Sequence, residues 1–411
     1  MDLEEKILST LTKNKTERIR IAEKNLIKEQ NLFYLTNDSY FDFVKERLIK
    51  LLDLFKESFE IKELKPLNHK SNNSEYFYGM IVNYDKEKLN SNNVTLFNNI
   101  DDSNSLPVKI DLRHLSHYSI FPGQVVVVKG RNVNGDLIVV ENIECLGIIE
   151  MNDVTKEIVI GKPIKIITCS GPFYDEINEF TVLDKILTED VDVIILHGPL
   201  FEFDINKRFI DAKEFYNKEV YPKLNTWLKR DTSSLIILIP SLEDLVSFNV
   251  FPQAPYYFTE TNKRILCYSN PSSFYVNGFL FSTISTDIFL NLTSEEFYSS
   301  YSNPFQGISN ELLFKTDRLG RLCYHLIFQQ SFLPVFPPDF PISLSNLAAF
   351  EMDIAPDFLI LSSKVKEFYK EVDPTRIINH GVQKNINYKY FSAITITNEK
   401  DITVKLEKLF K

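Results

Sequence analysis

Short polar segments that follow apolar runs are the parts of this chain in which chemistry would be expected. The run 191–197 is typical of a buried parallel strand and is followed by Gly198-Pro199. A carboxylate directly after such a strand can bridge two metal ions, which activate water and neutralise a phosphate. Proline offers no metal ligand. This position therefore predicts a protein that holds other proteins together rather than one that hydrolyses a substrate.

Two further apolar runs end without the expected ligands. In a two-metal phosphoesterase the first strand is followed by Asp and His, the second by Asp and the third by Asn-His, because these side chains hold the ions. Here the first run ends in Cys-Ser-Gly-Pro at 169–172 and the third in Pro-Ser-Leu-Glu-Asp at 240–244. We predict no catalytic residue, no metal ligand and no cofactor. The positions interpreted as remnants of a former metal site are Ser170, Pro172, Gly198, Pro199, Ser241, Leu242 and His380.

The titratable residues near these strand ends have simpler interpretations than metal binding. His197 is predicted to be a hydrogen-bonded, partly buried histidine. His380 is interpreted as a remnant of the late histidine loop. Glu243 and Asp244 are predicted to cap a helix that begins after Ser241.

Other catalytic groupings are weaker still. The chain contains no G-x-S-x-G, no P-loop and no H-E-x-x-H motif, and Cys323 and His325 are expected to lie within a helix. The alternative function is a phosphoesterase with an unorthodox metal site. That site would be formed by His197, Asp204, Glu243 and His380.

Composition describes a globular, acidic chain. Its 411 residues suggest two or three domains with at least one large core, and its net charge of −10 argues against a protein whose main task is to grip nucleic acid through phosphates. Four scattered cysteines argue against structural zinc and against a disulfide framework. The sequence shows no signal region and no apolar segment of about 18 residues. We expect a soluble, intracellular protein that is not associated with a membrane.

The first 67 residues are predicted to be a helical segment. Residues 1–35 are charged and weakly patterned, whereas apolar residues recur at three- and four-residue spacing from Phe41 to Phe59. Ser39 and Asp42 have the spacing of a capping box at the start of this helix. The favoured interpretation is that the helix packs on the adjacent domain. The alternative is that it binds a partner.

Residues 75–150 are predicted to form an OB-type barrel, after a polar linker at 68–74. Turn signals at Pro122-Gly123 and Asn134-Gly135 separate five short strands. Such barrels often bind single strands through aromatic and basic side chains, and the available aromatics include Tyr76, Tyr118 and Phe121. Because basic residues are sparse on the strands, we favour weak or no direct nucleic-acid binding over a single-strand-binding module. The predicted strands are Tyr76–Val82, Val94–Phe97, Val108–Leu112, Gln124–Lys129 and Leu137–Glu141.

Residues 160–411 are predicted to form an α/β domain of two packed sheets flanked by helices, because strands alternate with helices. Asn277-Gly278 predicts a two-residue hairpin turn, and the proline-rich segment Ser331–Pro341 is predicted to be a stiff surface excursion. The predicted strands are Ile164–Cys169, 191–197, Leu235–Ile239, Arg264–Tyr268, Phe274–Val276, Phe279–Ile284, Phe358–Leu361, Arg376–Ile378 and Tyr388–Thr397. The predicted helices are Glu176–Thr188, Ile205–Lys229 and Ser309–Gln330.

Seven short stretches, in order along the chain, resemble the accessory, second-largest (B-type) subunit of eukaryotic DNA polymerase α–primase. Each stretch is short, but their order makes the match specific over roughly residues 38–397. They are Tyr-Ser-Ile-Phe-Pro-Gly-Gln-Val-Val at 118–126, Ser-Gly-Pro-Phe at 170–173, Leu-His-Gly-Pro-Leu at 196–200, Ile-Pro-Ser-Leu-Glu-Asp at 239–244, Val-Phe-Pro-Gln-Ala-Pro at 250–255, Ser-Thr-Asp-Ile at 285–288 and Gln-Gln-Ser-Phe-Leu-Pro-Val-Phe-Pro-Pro at 329–338.

The resemblance implies an OB barrel fused to an inactivated calcineurin-like phosphoesterase domain. It further implies a non-catalytic, nuclear subunit that binds the C-terminal region of the polymerase α catalytic subunit, shares a complex with the primase subunits and supports primer synthesis. Members usually carry a separate helical domain and a long linker before the barrel, for which residues 1–35 are too short. Large apolar residues in loops are candidates for partner contact or loop packing. These are Phe121, Phe251, Pro252 and Phe336.

Overall fold

The structure, a computed structural model, describes residues 18–25, 39–83, 87–100, 106–147, 150–158, 162–203, 211–260, 262–300 and 311–410. The first elements are strand β1 (Ile21–Asn25) and the 20-residue helix α1 (Ser39–Ser58). Within these residues no helix combines the length and the apolar character needed to cross a bilayer.

The barrel is closed and has five strands, in the order β2-β3-β4-β7-β6. Its four-valine run, Val125–Val128, is buried throughout because both faces of that strand are covered. Val126 and Val128 point into the barrel, whereas Val125 and Val127 join the core between α1 and the α/β domain. The strands in this part of the chain are β2 (Ser71–Val82), β3 (Thr95–Phe97), β4 (Val108–Asp111), β5 (His117–Ile120), β6 (Val125–Asn132) and β7 (Leu137–Glu144).

The α/β domain contains two six-stranded sheets. The strands are β8 (Glu150–Met151), β9 (Ile164–Ser170), β10 (Val193–His197), β11 (Leu235–Ile239), β12 (Ile265–Cys267), β13 (Ser272–Val276), β14 (Phe279–Ile284), β15 (Phe297–Ser300), β16 (Ile354–Ala355), β17 (Phe358–Leu361), β18 (Phe368–Val372), β19 (Thr375–Asn379), β20 (Tyr390–Ile396) and β21 (Ile402–Lys408). The helices are α2 (Thr181–Ile186), α3 (Ala212–Phe215), α4 (Tyr221–Leu228), α5 (Ile288–Glu295), α6 (Glu311–Lys315) and α7 (Arg318–Phe328). A π turn at Tyr216–Val220 joins α3 to α4.

The two sheets, ordered β1-β13-β14-β17-β19-β18 and β12-β11-β10-β9-β20-β21, pack face to face. Alternate residues explain this layering: Val193 and Ile195 of β10 face the other sheet, whereas Ile194 and Leu196 face helices α2 and α4. The outer face of the first sheet is covered by α5 and α7, and α1 and the barrel continue this core. The predicted fold class, a closed OB-type barrel joined to an α/β domain of two packed sheets flanked by helices, is confirmed.

Most strands lie where the sequence predicts them, and the Asn277-Gly278 turn is confirmed. Both of its residues have positive φ, 50° and 85°, as a type I′ hairpin turn requires, and Val276 pairs with Phe279 across it. The predicted strands Leu235–Ile239, Phe279–Ile284 and Phe358–Leu361 have the observed bounds.

The N-terminal prediction was wrong where the structure describes it. Residues Ile21–Asn25 form a strand, not a helix, because β13 offers them a free sheet edge. The rest of residues 1–35 lies outside the described residues, except for 18–20. Helix α1 is confirmed and packs against the barrel and the α/β domain, but Phe41, predicted to lie on its apolar stripe, is 59% exposed.

Four further predictions need correction. The polar stretch 68–74 is not wholly a linker, because β2 extends to Ser71 over an exposed edge. The predicted helix Glu176–Thr188 is confined to α2, and Ser309–Gln330 is interrupted where Asp317 caps a new helix. The first half of Ser331–Pro341 is buried between α1 and the barrel instead of forming a surface excursion.

Candidate functional site at the strand ends

Parallel pairing brings the predicted remnant residues to one edge of the second sheet. His197 is paired in register with Ser170 on one side and with Ile239 on the other, so β9, β10 and β11 end together. In the first sheet β17 and β19 run parallel to each other, and His380 follows the end of β19 directly. His197 and His380 thus meet between the two sheets, with ring centroids 5.2 Å apart.

His380 is held by three hydroxyl groups. Its Nε2 lies 2.6 Å from Ser170 Oγ and 3.4 Å from Ser362 Oγ, and its Nδ1 lies 3.0 Å from Thr168 Oγ1. Burial, together with the nearby His197 and Lys389, lowers the pKa of His380 well below its usual value. The imidazole is therefore neutral at physiological pH. It fills the space between the strand ends and links them through its hydrogen bonds.

His197 differs from the prediction. It is fully buried, and neither ring nitrogen has a hydrogen-bond partner among the described residues. Burial lowers the pKa of His197 to about 3. The Cys169 backbone lies near the ring and opposes this shift, but it forms no hydrogen bond of normal geometry with either ring nitrogen. The predicted hydrogen-bonded, partly buried state was wrong because the end of the first sheet, with His380, covers this end of β10 completely.

Asp244 fills the space beside Gly198. Its carboxylate accepts hydrogen bonds from the Ser241 amide (2.6 Å), the Leu200 amide (2.9 Å) and the Tyr256 hydroxyl (2.6 Å). A Cβ at position 198 would lie 2.1 Å from Asp244 Oδ2 and 2.6 Å from the Tyr256 hydroxyl. No side chain larger than hydrogen fits there without displacing this network.

The helix-cap prediction for Glu243 and Asp244 was therefore wrong. Residues 241–244 form a turn, in which the Asp244 amide donates to the Ser241 carbonyl, and no helix follows in this part of the described chain. Burial raises the pKa of Asp244 to about 6, against its three hydrogen bonds. Glu243, by contrast, forms a surface ion pair with Lys364 at 3.1 Å.

Lys389 supplies a buried cation at the same edge. It is 3% exposed, and its Nζ donates to the carbonyls of Gly171 (2.7 Å), Gln383 (3.2 Å) and Pro172 (3.5 Å). Burial lowers its pKa to about 8. Gly171 also lies against the Pro199 carbonyl, 1.7 Å from where its own Cβ would be. The loops that follow β9 and β10 are thus in close contact, and the Lys389 ammonium group bonds to the first of them.

These groups do not form a competent catalytic arrangement. Ser170 and His380 are separated by a distance typical of a nucleophile and its base, but each is 1% exposed, so that a substrate cannot reach the hydroxyl. The group that orients His380 is the hydroxyl of Thr168. Among the residues that the structure describes, no three His, Cys, Asp or Glu side chains are placed to share a metal ion. Asp204, part of the alternative hydrolase site, lies outside the described residues.

The apolar loop residues lie in the junction between the barrel and the α/β domain. Phe121, Phe251 and Pro252 are buried, and Phe336 is 6% exposed. Ring pairs join them to other elements: Phe121 to His325 of α7 at 5.2 Å, and Phe336 to Phe43 of α1 at 4.3 Å. Within this chain these side chains pack the junction and present little surface to a partner.

Two polar residues that the sequence analysis missed organise this junction. Gln329 donates to the Val125 carbonyl (3.2 Å), and its Oε1 accepts from the Val125 amide (2.8 Å) and from Arg47 Nη2 (3.2 Å). Arg47 also donates to the Leu333 carbonyl at 3.3 Å, and its burial lowers its pKa to about 10. The position of Arg47 within the apolar stripe of α1 was a sequence signal that could have revealed its buried role. No comparable sequence signal pointed to Lys389.

Comparison with known proteins identifies the family. Residues 166–370 match the family model for the B-type subunits of DNA polymerases alpha and epsilon, and residues 41–146 match that for the OB domain of the B-type subunit of DNA polymerase alpha. The two models follow each other along the chain and cover both domains. The chain belongs to the family of DNA polymerase alpha B-type subunits. The resemblance inferred from the seven motifs is confirmed.

Relatives that bear the name of this polymerase alpha subunit come from distant eukaryotes. The Mus musculus protein is 29% identical over 350 residues, covering 79% of this chain and 55% of the mouse protein. The Schizosaccharomyces pombe protein is 27% identical, covering 75% of this chain and 57% of the yeast protein. The chain thus spans about half the length of the curated relatives it matches.

Members of this polymerase alpha family are accessory subunits, not the catalytic chain. Solved structures similar to this chain include a Vps29 double mutant from Entamoeba histolytica, which is 10% identical, covers 59% of this chain and 98% of its own, and aligns with a TM-score of 0.25. A likeness that weak does not bear on function. The strand-end geometry and the family membership are the observations that do.

Proposed function

We propose that this chain is a non-catalytic accessory and scaffold subunit of the DNA polymerase α–primase complex. In this proposal it binds the C-terminal region of the catalytic subunit, lies in one complex with the primase subunits and supports primer synthesis at replication initiation and on the lagging strand. It acts in the nucleus, where that synthesis takes place. Membership of the polymerase alpha accessory-subunit family supports the complex to which it is assigned.

The observation that carries the non-catalytic part of the proposal is the closed strand-end edge. Asp244, His380 and Lys389 occupy the space between the strand ends, and each is bonded to protein groups. A metallohydrolase needs the opposite: ligands that converge on ions and leave a coordination position open to water. The positions Ser170, Pro172, Gly198, Pro199, Ser241 and Leu242 offer at most hydroxyl groups to such ions.

The burial of its aromatic residues argues against the barrel as a single-strand-binding module. Phe77, Tyr78, Tyr118 and Phe121 are all at most 8% exposed, so they are not available for stacking on bases. Tyr76 is half-buried, and Lys129 lies over its ring at 5.3 Å. Helix α1 and the α/β domain cover the face of the barrel that carries Tyr78, Val125 and Val127.

A tagged pull-down of the full chain from its native cells at moderate salt, read by mass spectrometry, tests the proposal. We expect stoichiometric recovery of a family-B polymerase catalytic chain together with both primase subunits. Recovery of the tagged chain without these partners would overturn the proposed role. Metal analysis and phosphodiesterase assays of the same preparation would then show whether it is a hydrolase.

A further inference from the structure

A cleft of about 240 Å³ opens to solvent at the strand-end edge, outside the closed network of His380 and Asp244. It lies between the turn after β11, the segment between β14 and α5, and the end of the proline-rich loop. Its volume equals about eight water molecules at their liquid volume of roughly 30 Å³. Pockets for drug-sized ligands usually exceed about 300 Å³, so the cleft has room for one long side chain.

The charges on its walls are predominantly negative. Three carboxylates, Glu243, Asp287 and Asp339, line it with one ammonium, that of Lys364. Lys364 is paired with Glu243, and the described residues place no cation within ion-pair distance of Asp287 or Asp339. The Asp287 carboxylate accepts from the amides of Leu290 and Lys364 at 3.0 and 2.8 Å, which fixes its position at the start of α5 without pairing it with a cationic side chain of the described residues.

Apolar side chains form the remaining walls. Leu242, Phe340 and Val382 are half-buried, and Leu290 is 38% exposed. The hydroxyl groups beside them are already bonded internally: Ser285 to the Pro240 carbonyl, and Thr286 to Asn270. A ligand would therefore meet apolar surface and carboxylates rather than free hydroxyls.

The charge and shape of this cleft point to one class of occupant, and we propose that it docks a partner-protein segment that carries an arginine or lysine flanked by apolar residues. The guanidinium or ammonium group would reach Asp287 and Asp339, and the neighbouring apolar residues would cover Leu290 and Phe340. Arginine suits the site best, because its planar fork binds carboxylates with two parallel hydrogen bonds. This inference rests on the proposed scaffold function, since it assigns a protein partner to the strand-end edge, where an enzyme of this architecture would bind its substrate.

Fluorescence anisotropy with the full chain and two labelled peptides tests the docking site. One peptide is Gly-Leu-Arg-Leu-Leu-Gly, and the other has glutamate in place of arginine. We expect the arginine peptide to bind with a dissociation constant between about 10 μM and 1 mM and to weaken as salt rises. The Asp339→Lys variant should lose at least about fivefold in affinity. Asp190→Lys, the same charge change at a residue whose side chain is 96% exposed at the opposite end of β10, should bind as the wild type does.

Equal binding of the two peptides, absence of binding by either, or an unchanged affinity in Asp339→Lys would overturn the docking site. Displacement of the arginine peptide by an equimolar amount of Mn²⁺ would also overturn it, since the cleft would then be a metal site. These assays contain no polymerase. A failed pull-down therefore rejects the proposed complex, whereas failed peptide discrimination rejects the cleft proposal.

Discussion

The strand-end edge and the barrel junction are both buried and both contain ionisable side chains, but they treat those side chains differently. At the junction, Arg47 stays charged and donates to oxygens of Gln329 and Leu333. At the strand ends His197 is buried without a hydrogen-bond partner among the described residues, and its pKa falls to about 3. The junction bonds both terminal nitrogens of Arg47 and the Gln329 amide, although Arg47 Nε has no hydrogen-bond partner among the described residues. The strand-end edge, by contrast, buries the His197 ring with both nitrogens unpaired among the described residues, which lowers the stability of the fold rather than raising it.

This difference distinguishes the two regions. Unsatisfied or shifted ionisable groups are typical of functional sites, and at the strand-end edge they lie beside two loops that pack against each other. The close contact between these loops depends on the absence of a side chain at Gly171 and Gly198 and on the hydrogen bonds of Lys389. The junction, in contrast, consists of large apolar residues that lose stability when they are truncated.

Truncation of a junction aromatic should produce the largest effect. Phe251 is 0% exposed and packs against Phe350 and Phe340, with ring centroids 5.6 and 5.7 Å away. We expect Phe251→Ala to lower the free energy of unfolding by about 3–5 kcal/mol, measured by urea denaturation. Phe121→Ala, also 0% exposed, should behave alike. Melting curves identical to those of the wild type would contradict the junction as the main core contact.

Acid should act on the strand-end edge through His197. Because its folded pKa is about 3 and its ordinary value is 6.5, only the unfolded chain takes up this proton as the pH falls from about 6.5 to 3. Stability attributable to this group is complete above pH 6.5 and is lost as the pH falls to 3, by roughly 5 kcal/mol at most. His197→Phe should flatten the fall of melting temperature between pH 6.5 and 4. An equal fall in both proteins would contradict the assignment.

A methyl group at position 198 should disturb the Asp244 network. Gly198→Ala places its Cβ 2.1 Å from Asp244 Oδ2, and we expect a loss of about 2–3 kcal/mol, as for other overpacked positions. Adding Tyr256→Phe removes the second close atom, the hydroxyl 2.6 Å away. The double variant should therefore lose less than the sum of the two single losses in thermal denaturation. Strict additivity would show that the three groups do not interact.

Loss of Gln329 should cost slightly less. Gln329→Leu removes the side-chain partner of the Val125 amide and carbonyl, and it leaves Arg47 Nη2 with only the backbone carbonyl of residue 329 at 3.5 Å. Each buried polar group left unpaired costs about 1–3 kcal/mol, reduced when water or a neighbour replaces the partner. We expect a net loss of about 2 kcal/mol in urea denaturation. A neutral variant would show that the junction does not depend on this residue.

Truncation of an exposed residue near the strand-end edge should have the smallest effect on stability. Ile177 is 90% exposed, so Ile177→Ala should change the free energy of unfolding by less than about 0.5 kcal/mol. A larger loss in the isolated chain would mean that the surface near the strand ends is covered in solution, for example by a second copy. Size-exclusion chromatography with light scattering would detect such a copy.

Periodic and local signals predicted most of the fold. The alternation of apolar residues placed the central strands, and Asn277-Gly278 placed a hairpin, because both depend on neighbours within a few residues. The pairing of β5 with β15, for example Ile120 with Phe297, was missed, since neither short segment indicates a partner so distant in sequence. The departures from the expected ligand pattern after the strands were visible in the sequence. That Lys389 and Asp244 occupy the space there depends on how the loops close in three dimensions.

The most direct test of the closed strand-end edge is a phosphodiesterase assay on the purified full chain with Mn²⁺ and bis(p-nitrophenyl) phosphate, accompanied by metal analysis after dialysis. We predict turnover no greater than that of Mn²⁺ in buffer and no stoichiometric Mn²⁺. Retained Mn²⁺ with turnover that disappears in His197→Phe and His380→Phe, while both variants stay folded, would contradict the account and establish a hydrolase.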